Sequence, residues 1–384
     1  MYKKKLVFWA ACAGMLLFGI SLITLGSVAS DLREKLQLDE LSSGALFSIL
    51  PLGILTGSLI FGPIADKYGY RILLSVSCLF MFAGFEGIAF SPSVGTLKIW
   101  IFIFGLGGGV INGATNALVA DISEKDKGAN LSLLGVSYGV GALGMPLVSG
   151  MLKSILTYET ILASVGILTF AIGIFFLFIN FPPPKQSQGF PLKSSLRLIK
   201  DNVLILIASF LFFQSGFEAI INNWTTTYLI NEHSVLPGNA LLALSLFVGG
   251  MTVMRLLTGS LFRSASVKKL MLSSFILMLV GLILIRTGIS PGISVAGLIL
   301  LGAGLANGFP VMLGLVGSRY TELSGTAFSL VLFIALFGNT LINYLMGIVA
   351  QNFGIHHLTT FAFTETFIMI VLGLIIFKKT KNIH

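Results

Sequence analysis

Long apolar runs alternate with short polar stretches along the whole chain. A helix needs about 20 residues to cross roughly 30 Å of hydrocarbon, and runs of that length recur from one end of the sequence to the other. The pattern predicts an all-α integral membrane protein with twelve transmembrane helices. The predicted spans, numbered 1 to 12 in chain order, are 6–29, 43–65, 71–91, 97–119, 131–152, 159–181, 202–225, 240–262, 268–288, 292–316, 326–350 and 359–377.

Composition places the chain outside the range of soluble globular proteins. Hydrophobic residues make up 55% of the 384 residues, charged residues make up 10%, and the mean hydropathy is +0.96. No set of nucleophile, base and orienting group can be assembled from the spans, so we expect no enzyme. Cys12 and Cys78 lie in apolar spans and the four histidines lie in loops or the tail, so we expect no disulfide, metal site or cofactor.

Lysine and arginine are distributed unevenly between the two sides of the membrane. When alternate loops are counted, 18 of the 24 Lys and Arg residues lie on the side of the N-terminus and five on the other side, with Arg255 inside a span. Positively charged loops remain in the cytoplasm. The sequence therefore predicts a multi-pass protein of the cytoplasmic (inner) membrane with both termini cytoplasmic. This topology accounts for the net charge of +9 without a nucleic-acid partner.

A polar stretch, "NFPPPKQSQGFPLKSSLRLIKDN" (180–202), divides the chain into two halves that repeat each other. Several residues recur at a constant offset of 197 positions, which indicates two parallel repeats of six helices; transporters built in this way hold their substrate between the repeats. We predict an N-terminal bundle over 1–181, a cytoplasmic linker over 182–201 and a C-terminal bundle over 202–384. The matched pairs are Gly19 and Gly216, Gly53 and Gly250, Gly62 and Gly259, Gly105 and Gly302, Gly107 and Gly304, Gly128 and Gly325, Ser132 and Ser329, Gly141 and Gly338, and Gly150 and Gly347.

The loop between spans 2 and 3, "GPIADKYGYR" (62–71), resembles the signature loop of the major facilitator superfamily. Tyr70 departs from the pattern, because the family usually has a basic residue there. The resemblance implies the major facilitator fold, an alternating-access cycle and a gating role for Asp66, and we expect its carboxylate to face the positive end of another helix dipole. In the second half Arg263 stands at the position equivalent to Asp66. The loop residues that fit the pattern are Gly62, Asp66, Lys67, Gly69 and Arg71, of which Lys67 and Arg71 are further gating candidates.

Polar side chains interrupt the apolar run of span 7. Gln214, Glu218 and Asn222 are spaced i, i+4, i+8 and form one stripe along a helix. A charge at the bilayer centre costs about 2.5 to 3.5 kcal/mol on insertion scales, so such residues usually face a cavity or a partner. Side-chain amides both donate and accept hydrogen bonds, as sugar hydroxyls do, and an indole can cover an apolar sugar face. The other proposed substrate-binding residues are Asn112, Asn116, Tyr138, Trp224, Asn307, Asn339 and Asn343; the alternative is that these amides only join helices.

Spans 7 and 4 also resemble the fucose, galactose and glucose proton-symporter family. Span 7 carries Glu218 and Trp224 in the spacing E-x2-I-x2-W-x3-Y-L, and span 4 carries a Gly-x-Gly run followed by Asn112 and Asn116. Two features depart from that family, since its span 4 often has a glutamate at the position of Asn112 and its span 1 has a proton-linked aspartate that is missing here. Glu218 is therefore the coupling candidate. Arg255 resembles the arginine that the family places near the cytoplasmic end of span 8, as a gate or structural contact.

The sequence thus favours a secondary transporter that imports a small neutral hydrophilic solute, with a monosaccharide foremost. The expected partners are that solute, a co-transported proton or sodium ion, and the lipid bilayer. If no ion is co-transported, the chain is a uniporter. An export antiporter for drugs or metabolites remains the alternative, although span 5 reads "GALGMPLVSG" and lacks the Gly-Pro and Gly-Gly pairs typical of such antiporters. A solute sensor is disfavoured by the short tail "KKTKNIH" after span 12.

Overall fold

The computed structural model describes residues 2–37, 40–152, 155–185, 198–288 and 290–380. Within these ranges the chain is almost entirely helical, and twelve helices are long and apolar enough to cross a membrane. Each of them coincides with one predicted span. The prediction of an all-α membrane protein with twelve transmembrane helices is therefore confirmed.

The first six spans begin and end close to the limits of the apolar runs. Among these six, the helix of span 1 extends furthest beyond its predicted limits. It continues past the apolar run to Leu36 and ends at Gln37, which has the left-handed conformation. Span 2 contains two prolines, Pro51 and Pro63. The helices of spans 1 to 6 are Lys4–Leu36, Glu40–Tyr68, Tyr70–Phe90, Val94–Ile122, Lys127–Leu152 and Tyr158–Phe178.

Spans 7 to 12 follow the same order, with span 7 longer than predicted. Its helix continues beyond position 225 to His233 and stops at Ser234, which is left-handed and donates its N–H to the carbonyl of Leu229. Span 11 is preceded by a short 3-10 turn, Thr321–Leu323. The helices of spans 7 to 12 are Asn202–His233, Pro237–Gly259, Val267–Thr287, the pair Pro291–Leu305 and Gly308–Arg319, then Ser324–Phe353 and Leu358–Lys379.

Span 10 is broken, which corrects the prediction of one continuous helix over 292–316. The first segment ends at Leu305 and the second begins at Gly308. Pro310 has no N–H to donate to the carbonyl four residues earlier, at Ala306, so the helical ladder loses a bond at this point. The freed carbonyl groups of Leu305 and Ala306 must find other partners inside the membrane.

Contacts between helices divide the chain into two compact units. In the first unit span 4 packs against spans 1, 2 and 3, and span 6 packs against spans 1 and 3. In the second unit span 10 packs against spans 7, 8 and 9, and span 12 packs against spans 7 and 9. Each pairing in one unit therefore has its equivalent in the other. The first unit is made of Met1–Ile122, Ser137–Ser195 and Tyr320–Leu330, and the second of Ser123–Val136, Leu196–Arg319 and Val331–His384.

The predicted domain limits of 1–181, 182–201 and 202–384 stay a prediction. Positions 186–197 of the predicted linker lie outside the described residues.

Glycines at equivalent positions make equivalent close contacts in the two units. A Cβ on Gly53 would lie within 3.0 Å of the carbonyl oxygen of Phe102, and a Cβ on Gly250 would lie equally close to that of Ile299. Position 102 plus 197 is 299, so both members of the contact obey the repeat. Two further equivalent pairs are Gly105 against Leu50 with Gly302 against Phe247, and Gly107 against Ser77 with Gly304 against Ser274. The two six-helix repeats predicted from sequence are thus present in the packing.

Candidate functional site

In the first unit the candidate residues of span 4 form a buried amide pair. The Nδ2 of Asn116 donates to the Oδ1 of Asn112 at 3.1 Å and to its backbone carbonyl at 2.8 Å. Tyr138, on span 5, is half-buried, and its ring centroid lies 5.9 Å from that of Phe18 on span 1. Gly19 lies against the Tyr138 carbonyl with no room for a Cβ, so span 5 approaches span 1 closely here.

Asp66, near the end of the span 2 helix, has its carboxylate buried against the start of span 11. Its Oδ1 accepts from the N–H of Gly325 at 3.1 Å, and its Oδ2 accepts from the N–H and the hydroxyl of Thr326 at 2.8 and 2.7 Å. These residues form the first turn of Ser324–Phe353, where unpaired N–H groups and the helix dipole favour a carboxylate. The expectation that Asp66 faces the positive end of another helix is met. Of the other gating candidates, Lys67 lies 5.0 Å above the Tyr68 ring and Arg71 is exposed.

A second carboxylate, Asp121 at the end of span 4, also binds the start of span 11. Its Oδ2 accepts from the Tyr70 hydroxyl at 2.5 Å, and its Oδ1 accepts from the Ser324 hydroxyl at 2.7 Å and from the Lys185 ammonium at 2.6 Å. Sequence reasoning missed this cluster. Asp121 and Lys185 are separated by 64 positions, and no spacing rule connects the end of one helix with a loop residue so far along the chain.

The equivalent loop of the second half is held by an ion pair. Arg263, which occupies the position equivalent to Asp66, donates its Nε to the Oδ2 of Asp126 at 3.2 Å and its Nη2 to the Oδ1 of Asn130 at 2.8 Å. Both members of the pair are more than 40% exposed, with values of 42% and 45%. Each of the two loops is therefore joined to the start of another helix in its own unit, the first to span 11 by an acid and the second to span 5 by a base.

The polar stripe of span 7 divides into residues with different roles. Gln214 is 1% exposed, and its Nε2 donates to the carbonyl of Leu305 at 3.0 Å. It therefore satisfies a carbonyl that the break in span 10 sets free, while its own Oε1 has no hydrogen-bond partner among the described residues. The role of Gln214 in solute binding stays a prediction. Glu218 and Asn222 are half-buried.

The break in span 10 gathers two more of the candidate residues. Arg255 is 8% exposed and donates to the carbonyls of Ala306 and Gly135, both at 3.5 Å. Arg255 therefore supplies a donor to the second carbonyl that the break sets free.

Asn307 joins three helices rather than facing a cavity. Its Oδ1 accepts from the Thr258 hydroxyl of span 8 at 2.7 Å, and its Nδ2 donates to the Ser274 hydroxyl of span 9 at 3.0 Å. Only 2% of the residue is exposed. The alternative of an amide that joins helices thus describes the contacts of Asn307 in this structure, and its role in solute binding stays a prediction.

Spans 7 and 11 meet at a cluster of amides around an indole. The Nε1 of Trp224 and the Nδ2 of Asn223 both donate to the Oδ1 of Asn343, at 3.0 and 3.1 Å. Trp224 and Asn343 are half-buried and Asn223 is exposed, so the cluster is accessible. About one turn before Asn343 along span 11, Asn339 donates to the carbonyl of Ser215 at 3.0 Å. Asn223 was not among the residues predicted to bind the solute.

Comparison with known families agrees with this architecture. The family model of the Major Facilitator Superfamily matches residues 10–332. The chain belongs to the Major Facilitator Superfamily. Superfamily members of this kind are transporters, so the chain is a transporter and not an enzyme.

Curated relatives within the superfamily are distant. A D-xylose transporter of Levilactobacillus brevis is 30% identical over 128 residues, which is 33% of this chain and 28% of the relative. The chain thus aligns with about a quarter of the length of that protein. A glucose/mannose transporter of Bacillus subtilis is 25% identical over 86% of this chain and 84% of its own length. A multi-drug resistance efflux pump of Streptococcus pneumoniae is 25% identical over 43% of this chain and 42% of its own length.

Solved structures confirm the major facilitator fold. The fucose:proton symporter of E. coli superimposes with a TM-score of 0.79, covering 96% of this chain and 98% of that protein. Sequence identity is 15%, so the likeness concerns the fold alone. The fold, the twelve spans and the membership of the superfamily together establish a multi-pass membrane transporter.

Proposed function

We propose that the chain imports a small neutral hydrophilic solute, with a monosaccharide as the first choice, by alternating access across the cytoplasmic membrane. The observation that carries this proposal is the accessible cluster of Asn223, Trp224 and Asn343. A hydrogen-bonded indole is held in a fixed orientation and offers a flat apolar surface, while the amides beside it donate and accept. That combination suits a ring with an apolar face and hydroxyl groups at its edge.

The known relatives support a sugar as the solute. Two proteins that match this chain are named transporters of D-xylose and of glucose and mannose. Asn112 and Asn116 in the first unit, with Asn222 and Asn339 in the second, are the further amides that we assign to solute binding, together with Tyr138. We assign Gln214 and Asn307 to the packing around span 10 instead.

For energy coupling we propose Glu218 as the group that carries a proton. It is the acid of span 7 that is half-buried within the helix, and we propose Arg255 as its counter-charge. An arginine nearby stabilises the carboxylate after the proton leaves, so protonation and the position of Arg255 are linked. The orientation proposed with this mechanism, both termini cytoplasmic, is supported by the uneven distribution of Lys and Arg.

The test is uptake of radiolabelled monosaccharides into proteoliposomes, with and without an inward proton or sodium gradient. The intact protein is compared with Glu218→Gln and with Glu232→Gln, a control at the exposed end of the same helix. We expect gradient-driven accumulation by the intact protein and by Glu232→Gln, and loss of accumulation with retention of sugar exchange in Glu218→Gln. Concentrative uptake by Glu218→Gln equal to that of the intact protein would remove Glu218 from the coupling role.

An export antiporter is the second proposal, because a multi-drug efflux pump is among the relatives. It predicts that the proteoliposomes take up none of the sugars and bind none of them. It also predicts that expression of the chain raises the drug concentration that a sensitive bacterial host tolerates. Sugar uptake without any change in drug tolerance would exclude it.

A further inference from the structure

The segment that follows span 6 is docked on the 62–71 loop. The backbone N–H of Lys185 donates to the carbonyl of Asp66 at 3.1 Å. Pro184 lies next to Gly69, which adopts a φ of +77° that favours glycine. Three consecutive prolines at 182–184 fix the backbone just before Lys185. The lysine is therefore presented from a stiff segment, and ordering it costs less entropy than ordering a lysine in a flexible loop.

The Lys185 ammonium joins two residues that belong to opposite halves of the sequence. It donates to the Oδ1 of Asp121, at the end of span 4, and contacts the hydroxyl of Ser324, at the start of span 11. Ser324 donates in turn to the same Asp121 oxygen at 2.7 Å. The Lys185 side chain is 23% exposed and that of Asp121 is 7% exposed, so water screens the pair only in part.

A positive charge is needed beside Asp121, and the 62–71 loop does not bring it. Tyr70, which stands where a basic residue is usual, donates a hydrogen bond to Asp121 at 2.5 Å but carries no charge. A largely buried carboxylate without a counter-charge is costly, whereas one with a cation and hydroxyl donors is satisfied. Lys185 supplies that cation from elsewhere in the chain.

We propose that Lys185 is a positioning residue for the transport cycle: it holds the start of span 11 against the end of span 4 and so connects the 182–185 segment to the gate. The proposal rests on the gating role of Asp66, whose partners Gly325 and Thr326 directly follow Ser324. Loss of Lys185 leaves Ser324 its bond to Asp121 but removes its contact with the ammonium, and thereby loosens the helix turn that Asp66 binds. Lys185 thus stabilises the contact of Asp66 without touching the solute.

The test is hydrogen exchange at the backbone amides of Gly325 and Thr326, followed by mass spectrometry of the full chain in lipid nanodiscs. These amides exchange when the contact with Asp66 opens. We expect about fivefold faster exchange in Lys185→Met and in Asp121→Asn. The double variant exchanges no faster than either single variant, because both remove the same bridge. Lys185→Arg restores slow exchange, and Lys125→Met, at an exposed lysine of the loop after span 4, leaves it unchanged.

The outcomes separate this proposal from the gating role. Unchanged exchange in Lys185→Met, or an equal effect of Lys125→Met, overturns the bridge. If exchange is faster in Asp66→Asn but unchanged in Lys185→Met, the gating contact of Asp66 stands and only the role of Lys185 is removed. Faster exchange in Lys185→Met with uptake kinetics identical to those of the intact protein keeps the bridge and removes the gating role of this contact.

Discussion

Some amide side chains in this protein are buried and join helices, whereas others lie at exposed positions. Asn307 shows the first use, because both ends of its amide bond to hydroxyls of other helices and only 2% of the residue is exposed. Hydrogen bonds between transmembrane helices contribute about 0.6 kcal/mol each on average. The two bonds of Asn307 therefore contribute about 1 kcal/mol to the stability of the second unit.

Replacement of Asn307 with alanine should lower that stability. We expect Asn307→Ala to reduce the free energy of unfolding by about 1 kcal/mol, because Thr258 and Ser274 lose their shared partner. Thermal unfolding in detergent measures the change. The matched control is Asn352→Ala, since Asn352 is exposed and donates to the carbonyl of Ile348 in its own helix. Equal melting temperatures for the two variants would contradict the role of Asn307.

Sequence alone predicts which residues in the spans are unusual but not which partners they have. Gln214, Glu218 and Asn222 share one face by spacing, and the spacing is correct for a helix. The structure nevertheless commits Gln214 to the carbonyl of Leu305, 91 positions away, and leaves Glu218 half-buried. The difference arises from the approach of span 10, which no local pattern in span 7 encodes.

At the scale of helices, hydropathy locates the spans because apolar length is what the bilayer requires. Hydropathy does not locate the break in span 10, since the apolar run over 292–316 continues on both sides of Asn307 and keeps the mean hydropathy high. Gly308 and Pro310 were the available signals, as proline removes a donor from the helical ladder. Transmembrane helices tolerate such residues when other groups satisfy the freed carbonyls, so their presence did not decide between a kink and a break.

Neighbouring glycines in span 8 allow a direct test of close packing. A Cβ on Gly250 would meet the backbone of Ile299 within 3.0 Å, whereas a Cβ on Gly249 would meet nothing within 4 Å. We expect Gly250→Ala to lower the free energy of unfolding by about 1 to 3 kcal/mol through overpacking. Gly249→Ala should be neutral or stabilising, because alanine favours a helix over glycine by about 1 kcal/mol. Thermal unfolding of the two variants gives the comparison.

Gly53, the equivalent of Gly250 in the first repeat, allows the same substitution test. Gly53→Ala should be as destabilising as Gly250→Ala, since each glycine faces an equivalent carbonyl in its own unit. A large loss for one and none for the other would show that the two equivalent contacts are not equally tight in the folded protein.

At the scale of the whole molecule, the repeat was predictable because it is written in the sequence as a constant offset of 197 positions. Equivalent helix pairs meet in both units, and equivalent glycines make the contacts. The partners of the two loops were not predictable in the same way. Asp66 and Arg263 are equivalent by offset, yet one binds a helix N-terminus and the other binds Asp126.

Topology gives a prediction for the complete chain. The uneven distribution of Lys and Arg predicts that the C-terminus lies in the cytoplasm. We expect a green fluorescent protein fused after His384 to fluoresce and alkaline phosphatase fused there to be inactive, because phosphatase folds only outside the cytoplasm. Phosphatase fused after position 93, in the loop between spans 3 and 4, should be active. The reverse pattern would place both termini outside.

The opposite charges of Asp66 and Arg263 bear on how such a chain arises by gene duplication. An ancestor with two identical halves carried one residue at both positions. If it was an aspartate, its second copy stood beside Asp126, and two carboxylates repel at that distance. An arginine at that position removes the repulsion and forms the ion pair seen at 3.2 Å. Two loops with a common origin therefore carry opposite charges because their neighbours differ.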